Sequence, residues 1–247
     1  MGIFLKFTKK SAESKTGENN AVRENYVSET PEKGTISQKT QAASVVASKT
    51  AEQLHDEAVI LYNQQRYKEA VELFLAAARQ GNLSAQHKLG VMYDNGKGGL
   101  PKDHKKAAEW YSKAAKQGYA NSQNNLGILY LNGQGVSQDI AKAVELFRSA
   151  AEQGNDAAQE ALGNLYSHGV GIPQDFKAAA EWYLKAAEQG SKTAQHNIGF
   201  MYYKGQGVSQ NYTKAIEWFQ KAAEQDYANS QYNLANMFLI GVVFPLE

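Results

Sequence analysis

Five histidines, His55, His87, His104, His168 and His196, are the side chains in this sequence best suited to metal or proton chemistry. None forms a His-x-x-x-His pair or another metal-binding spacing. His87 and His196 fall at the same place in a repeating block but three blocks apart. Stacked helix pairs lie roughly 10 Å apart, so the two cannot share an ion. Four glycine pairs, Gly96-Lys-Gly98, Gly133-Gln-Gly135, Gly169-Val-Gly171 and Gly205-Gln-Gly207, could be taken for phosphate-cradling loops. Such a loop needs a preceding strand and a helix whose N-terminus meets the phosphate. No strand is predicted here, and the glycines recur in every block. They read as turns that end helices. The carboxylates recur as well. Asp103, Asp139 and Asp175, with Asn211, stand where helix N-caps are needed. Glu109, Glu145, Glu181 and Glu217 form a solvated stripe. Serine–histidine or paired-carboxylate catalysis needs residues that break the pattern and meet at one point. No block contains such a cluster. No catalytic, cofactor-binding or metal-binding residue is therefore expected.

The elements behind these residues follow from the repeat itself. A leucine or isoleucine before a small residue falls at Leu89, Leu126, Leu162, Ile198 and Leu234, with spacings of 37, 36, 36 and 36. The small residue is Gly90, Gly127, Gly163, Gly199 and then Ala235. An aromatic follows at Tyr93, Tyr130, Tyr166, Tyr202 and Phe238. A fixed period of this size marks a solenoid, whose units cannot bury a core alone and must stack. Each unit reads as a helix A and a helix B. The A helices are about Ser84–Asp94, Asn121–Leu131, Ala157–Ser167 and Thr193–Tyr203. The B helices are about His104–Gln117, Ile140–Gln153, Phe176–Gln189 and Tyr212–Gln225. Ala51–Gln64 and Lys68–Gln80 make a degenerate first pair. Asn229–Leu239 is a helix A with no helix B after it. Glycine inside a helix costs up to about 1 kcal/mol against alanine. Four copies accept that cost, which predicts a close helix approach. Alanines at 107, 143, 179 and 215 and at 114, 150, 186 and 222 allow tight packing. Trp110, Leu146, Trp182 and Trp218, with Tyr111, Phe147, Tyr183 and Phe219, fill the space between.

The fold class is all-α: an α-solenoid over residues 46–241, preceded by a polar segment over 1–45 and followed by a short apolar tail over 242–247. Between residues 11 and 40 the only large apolar side chains are Val22, Tyr26, Val27 and Ile36. That is too little buried surface to offset ordering entropy, so the segment is expected to be disordered. A formal net charge of +1 makes no case for nucleic acid or an anionic membrane. No run of residues is long and apolar enough for a membrane span. Cysteine is absent, which excludes disulfides and thiolate metal sites. Ile3, Phe4, Leu5 and Phe7 form a patch too short for a secretory signal, and Lys6 stands where myristoylation wants Ser or Thr. A cytoplasmic location is the expectation, with a secreted or periplasmic one if the true N-terminus differs.

Together these residues resemble Sel1-like repeats, relatives of the tetratricopeptide repeat. The unit is Ala-x-x-x-Leu-Gly-x-x-Tyr-x-x-Gly-x-Gly-Val-x-x-Asp-x-x-Lys-Ala-x-x-Trp-Tyr-x-Lys-Ala-Ala-x-x-Gly. Ala194 to Gly207, followed by Lys214 to Ala223, reproduces it nearly in full. The resemblance covers about residues 54–241. It implies a right-handed superhelix of antiparallel helix pairs with the A helices on the concave side. It also implies an adaptor in protein complexes. Some secreted members carry a cysteine pair per repeat. This chain has none, so what is attached to that subgroup does not transfer.

On the implied concave face, the positions that vary between units are the candidates for partner binding. They are His87, Val91, Asn124, Ile128, Leu131, Glu160, Asn164, His196, Phe200, Tyr203, Tyr232 and Asn236. The competing reading is that several of them simply pack between adjacent A helices. The face mixes Asn and His with aromatics and holds Asp94 and Glu160 but no Lys or Arg. An acidic peptide would need basic side chains there. A protein or peptide partner that is neutral or mildly basic fits better. Two other roles stay open: an immunity or regulatory partner of a secreted bacterial toxin, and an exported envelope or cell-wall protein with an enzymatic role. The apolar last helix is a poor cap. Either the tail folds back over it, with weak self-association, or the end stacks on another molecule.

Overall fold

The computed structural model describes residues 48–239. The expectations for residues 1–45 and 242–247 lie outside the described residues. Among the described residues there are eleven helices and no strand. They are α1 (Ala51–Asn63), α2 (Tyr67–Arg79), α3 (Leu83–Asn95), α4 (His104–Ala115), α5 (Ala120–Asn132) and α6 (Ile140–Glu152). Then come α7 (Asp156–His168), α8 (Phe176–Glu188), α9 (Lys192–Lys204), α10 (Tyr212–Ala223) and α11 (Ala228–Leu239). Odd-numbered helices are the A helices and even-numbered ones the B helices. Each helix packs on its neighbours in the chain, which is the α-solenoid the period predicts.

Local chemistry sets the helix boundaries. Asp103, Asp139, Asp175 and Asn211 accept backbone N–H bonds from the first turns of α4, α6, α8 and α10. Gly96, Gly133, Gly169 and Gly205 end the A helices in the left-handed conformation, at φ of 64–68°. Each loop is then closed by the cap residue's N–H, donated to the carbonyl of the aromatic in the last turn of the A helix. Asp139 bonds Tyr130 at 3.0 Å and Asn211 bonds Tyr202 at 2.9 Å.

The mid-helix glycines do what their cost implied. A Cβ on Gly163 would stand 2.5 Å from the Tyr183 ring, and one on Gly127 would stand 2.9 Å from Phe147. Tyr111, Phe147, Tyr183 and Phe219 lie buried against these glycines, and Ala107, Ala143, Ala179 and Ala215 have no exposed surface. Burying each such ring contributes about 1.5–3 kcal/mol. In the last three pairs the second glycine has a separate task. A Cβ on Gly207 would overlap the Phe176 carbonyl oxygen, and one on Gly135 would overlap the His104 backbone. The loop of one unit thus rests on the first turn of the preceding helix B. Lys113, Lys185 and Lys221 sit 4.0 Å over the rings of Trp110, Trp182 and Trp218 on the B helices. Glu109, Glu145, Glu181 and Glu217 are all exposed, as a solvated stripe should be.

Candidate functional site

The candidate residues separate into columns along the A helices. In the column three residues before the recurrent glycine, His87, Glu160 and His196 reach forward to the next unit. His87 Nδ1 lies 3.0 Å from Ser122 Oγ, with its ring between Tyr111 and Tyr119. His196 Nδ1 lies 2.9 Å from Ser230 Oγ, with its ring between Phe219 and Tyr227. Ser191 donates its hydroxyl to Glu160 at 2.7 Å. Asn124 is buried, and its Nδ2 donates to Asn125. Burial holds the His87 and His196 imidazoles below their ordinary pKa, with Lys88 adding to the effect at His87. Tyr232 ends this column and is 67% exposed, because no further unit follows it in the described residues.

The column one residue after the glycine faces outward. Ile128 and Phe200 are 41% and 38% exposed. Asn164 accepts a 2.7 Å bond from the Tyr183 hydroxyl. Val91 packs partly buried on the core, and Asn236 is half-buried. One turn on, Leu131 packs against the core of its own unit, while Tyr203 stacks with Phe200 and Tyr212.

Between successive A helices this outward face opens into clefts. One of about 230 Å³ lies between α7 and α9 over α8, lined by Ser167, His168, Phe176, Tyr183, Asn197, Phe200, Met201 and Gln206. Its equivalent between α9 and α11 is smaller, about 70 Å³, and is lined by Tyr203, Phe219, Asn233, Asn236 and Met237. Drug-sized ligands need about 300–1,000 Å³, so each cleft has the scale of a single side chain. The amides of Asn197, Asn233 and Asn236 have no hydrogen-bond partner among the described residues.

The expectation that this face carries no Lys or Arg needs correction. Lys88 reaches back over the Tyr62 ring, 4.2 Å from its centre. Lys204 lies 5.0 Å from the centre of Tyr203 and 5.7 Å from that of Phe200. Both sit on A helices at positions outside the varying columns, and their long stems carry the charge into the groove.

One recurrent side chain escaped the sequence reading. Gln86, Gln123, Gln159, Gln195 and Gln231 each donate Nε2 to an alanine carbonyl at the end of the preceding helix B. Gln153, Gln189 and Gln225 in turn donate to the Oε1 of Gln123, Gln159 and Gln195 at 2.7–2.8 Å. This ladder fastens α5, α7 and α9 to both flanking B helices. Its 36-residue recurrence was visible in the sequence beside the glycines, but glutamine is not a residue type associated with buried architecture.

A buried orphan marks the junction between α3 and α5. The Tyr111 hydroxyl has no hydrogen-bond partner, although the side chain is fully buried. In the equivalent place at α8, Tyr183 is bonded to Asn164 and lies 3.2 Å from Ser167 Oγ. Val91 and Asp94 stand where those two partners would be. Valine cannot bond, and Asp94 turns its Oδ1 to His104 Nδ1 at 2.7 Å. Asp94 and Asn125 act on Tyr111 electrostatically without meeting hydrogen-bond geometry. Burial pushes the Tyr111 phenol well above its usual pKa, and that of Tyr183 up as well.

Comparison with known proteins places the chain. No curated protein sequence matches it. Among solved structures it is similar to a protective antigen of uropathogenic Escherichia coli that displays an SLR fold, at 36% identity and TM-score 0.75. That match covers 86% of this chain but 45% of the antigen, so the chain spans less than half that protein's length. It is also similar to a Sel1 repeat protein from Oxalobacter formigenes, at 36% identity and TM-score 0.70, over 76% of each chain. An immunity protein from Pseudomonas aeruginosa is more distant, at 25% identity and TM-score 0.48, over 73% of this chain and 67% of that one. The family model described as Sel1 repeat matches residues 58–82, 83–119, 120–155, 156–191, 192–227 and 228–245. With six consecutive units matched from residue 58 to residue 245, the chain belongs to the Sel1 repeat family.

Proposed function

We propose that the chain is a non-catalytic adaptor that holds an extended segment of a partner protein along the outward columns of its A helices. The observation that carries this is the cleft between α7 and α9. It is sized for one side chain and walled by Phe176, Phe200 and Met201. Beside it the Asn197 amide, free of intramolecular bonds, can donate to and accept from a peptide backbone. Aromatics continue from it through the half-buried Tyr203 to Tyr212, which is 40% exposed. Clusters of this kind are where binding energy concentrates at interfaces. The carboxylates that might suggest catalysis are occupied. Asp103, Asp139 and Asp175 cap helices, and Glu160 accepts from Ser191.

The test uses peptides selected from a random display library against the full chain. Binders should lose at least ten-fold in affinity to the Phe200→Ala, Tyr203→Ala double variant, whose circular dichroism should match the parent. Binders that keep their affinity for that variant would overturn the groove as the binding face.

A further inference from the structure

The last turn of each A helix adjoins the first turn of the helix B that follows it, and two residues there are matched in kind. One stands two places before the helix cap, and the other opens helix B. In the first unit the rings of Tyr62 and Tyr67 meet edge-on, 5.2 Å between centroids. In the second, Asp94 Oδ1 lies 2.7 Å from His104 Nδ1. In the third, Leu131 and Ile140 pack on the same core cluster. In the fifth, Tyr203 and Tyr212 meet as tilted rings, 5.7 Å between centroids. The fourth unit breaks the pattern. Phe176 opens α8, but the residue two places before the cap is Ser167. Phe176 packs on the core of its own unit and meets no other ring among the described residues. The Ser167 hydroxyl donates to the Asn164 carbonyl at 3.0 Å.

The cleft between α7 and α9 opens at this mismatch. Both members of the unmatched pair line it. Its space is what a serine leaves where the units before and after have Leu131 and Tyr203. Solvent reaches it, since His168, Phe200 and Gln206 in its lining are exposed. The walls define what fills it. Phe176 and Phe200 offer ring faces and edges, and Met201 a polarizable sulfur that favours aromatic neighbours. A charged side chain would be desolvated with no Asp, Glu, Lys or Arg in the lining to pair with it. An aliphatic side chain would fill the volume without the ring pairing that the first and fifth units make.

Resting on the groove reading above, we infer that the cleft is a vacancy in the fold's own pairing scheme, and that a bound peptide completes it with an aromatic side chain. The ring seats between Phe176 and Phe200, where Tyr62 and Tyr203 stand in the first and fifth units. Stability and binding therefore compete for one space: a ring that the chain supplies itself excludes the ligand's.

The test fills the vacancy from within. Ser167→Tyr should raise the melting temperature of the full chain by restoring the pair with Phe176. Seven-residue synthetic peptides of Ser and Ala with one central Phe, Tyr, Leu or Glu are compared by backbone amide shifts, a method that reaches millimolar binding. On the parent chain the Phe and Tyr peptides should bind at least five-fold tighter than the Leu peptide, and the Glu peptide should bind weakest. Ser167→Tyr should cut the affinity of the Phe peptide at least ten-fold. Phe176→Ile, which takes the residue type of Ile140 in the third unit, should keep the fold and erase the preference for Phe over Leu. A lowered melting temperature in Ser167→Tyr shows that no ring-shaped vacancy exists, and an unchanged Phe-peptide affinity there places the ring elsewhere; either overturns the inference. Phe and Leu peptides of equal affinity, both dependent on Phe200, overturn the aromatic reading and leave the groove standing. No shift from any peptide also overturns the aromatic reading, and the library binders then decide the groove by themselves. Binders indifferent to the Phe200→Ala, Tyr203→Ala double variant take the groove reading down as well.

Discussion

Two columns of side chains, four residues apart on the same helices, have opposite fates. The residues before the glycine, His87, Glu160 and His196, are bonded to serines of the following unit. The residues after it, Ile128 and Phe200, are left to solvent. Variation between repeats therefore does not mark function by itself. A stitching position varies because its partner varies with it. His87 and His196 each face a unit that begins Tyr-Ala-Asn-Ser-Gln, at residues 119–123 and 227–231, whereas Glu160 faces one that begins Ser-Lys-Thr at 191–193. Where the described residues hold no following unit, the same column lies open, as at Tyr232. If this division is right, damage to the first column should move stability and spare binding, and damage to the second should do the reverse.

The largest expected effect disturbs both columns together. Gly207 has φ +69°, and a Cβ there meets the Phe176 carbonyl. A left-handed conformation costs a residue with a Cβ about 1–2 kcal/mol, and overpacking adds about 1–3 kcal/mol. Gly207→Ala should thus cost about 2–5 kcal/mol. That corresponds to a melting temperature lowered by roughly 4–20 °C, and the adjoining Phe200 cleft should lose peptide affinity too. Cutting one stitch is a milder change. His196→Ala removes a hydrogen bond worth about 0.5–1.5 kcal/mol and ring contacts worth a similar amount. Its melting temperature should fall while peptide affinity stays within two-fold. A matching loss of affinity would return His196 to the groove.

Acid sharpens the comparison without a mutation. Burial lowers the folded-state pKa of His87 and His196 from the ordinary 6.5. The unfolded chain therefore binds protons that the folded chain refuses as pH drops through that value. Stability is full above about pH 6.5 and declines below it. The groups around the two imidazoles, Tyr111, Tyr119 and Ser122 at one and Phe219, Tyr227 and Ser230 at the other, bring no carboxylate to offset the charge. Thermal melts between pH 7.5 and 5.5 should show a falling midpoint. The His87→Gln, His196→Gln double variant should flatten that slope.

The repeat made the fold legible because every unit states the same demands. In isolation Gly163 looked costly and Gly205 could be taken for part of a phosphate loop; recurrence explained one as a close approach and the other as a helix stop. The groove was less legible for a physical reason. Asn124 and Phe200 lie on the same side of a helix in any projection, and only the neighbouring unit decides that one is covered and the other is not. Periodicity fixes which way a side chain points along its own helix, whereas exposure in a solenoid is set by the stacking partner. Lys88 and Lys204 were missed for a related cause: their positions lie off the groove columns while their ammonium groups do not.

The smallest stability effect is the most telling. Phe200 is 38% exposed, so over a third of its surface stays open in the free protein, and its ring contact with Tyr203 is loose at 6.4 Å between centroids. A fully buried ring contributes about 1.5–3 kcal/mol and this partly open one about 1 kcal/mol, so Phe200→Ala should lower the melting temperature by about 2–4 °C. Truncating the stitched column costs up to about 3 kcal/mol, as argued for His196. A large apolar side chain left this far open contributes less to the fold than its size allows, which is what the groove proposal requires of its anchor. A melting temperature lowered by 5 °C or more would assign Phe200 to the core of its junction and leave the outward column without its anchor.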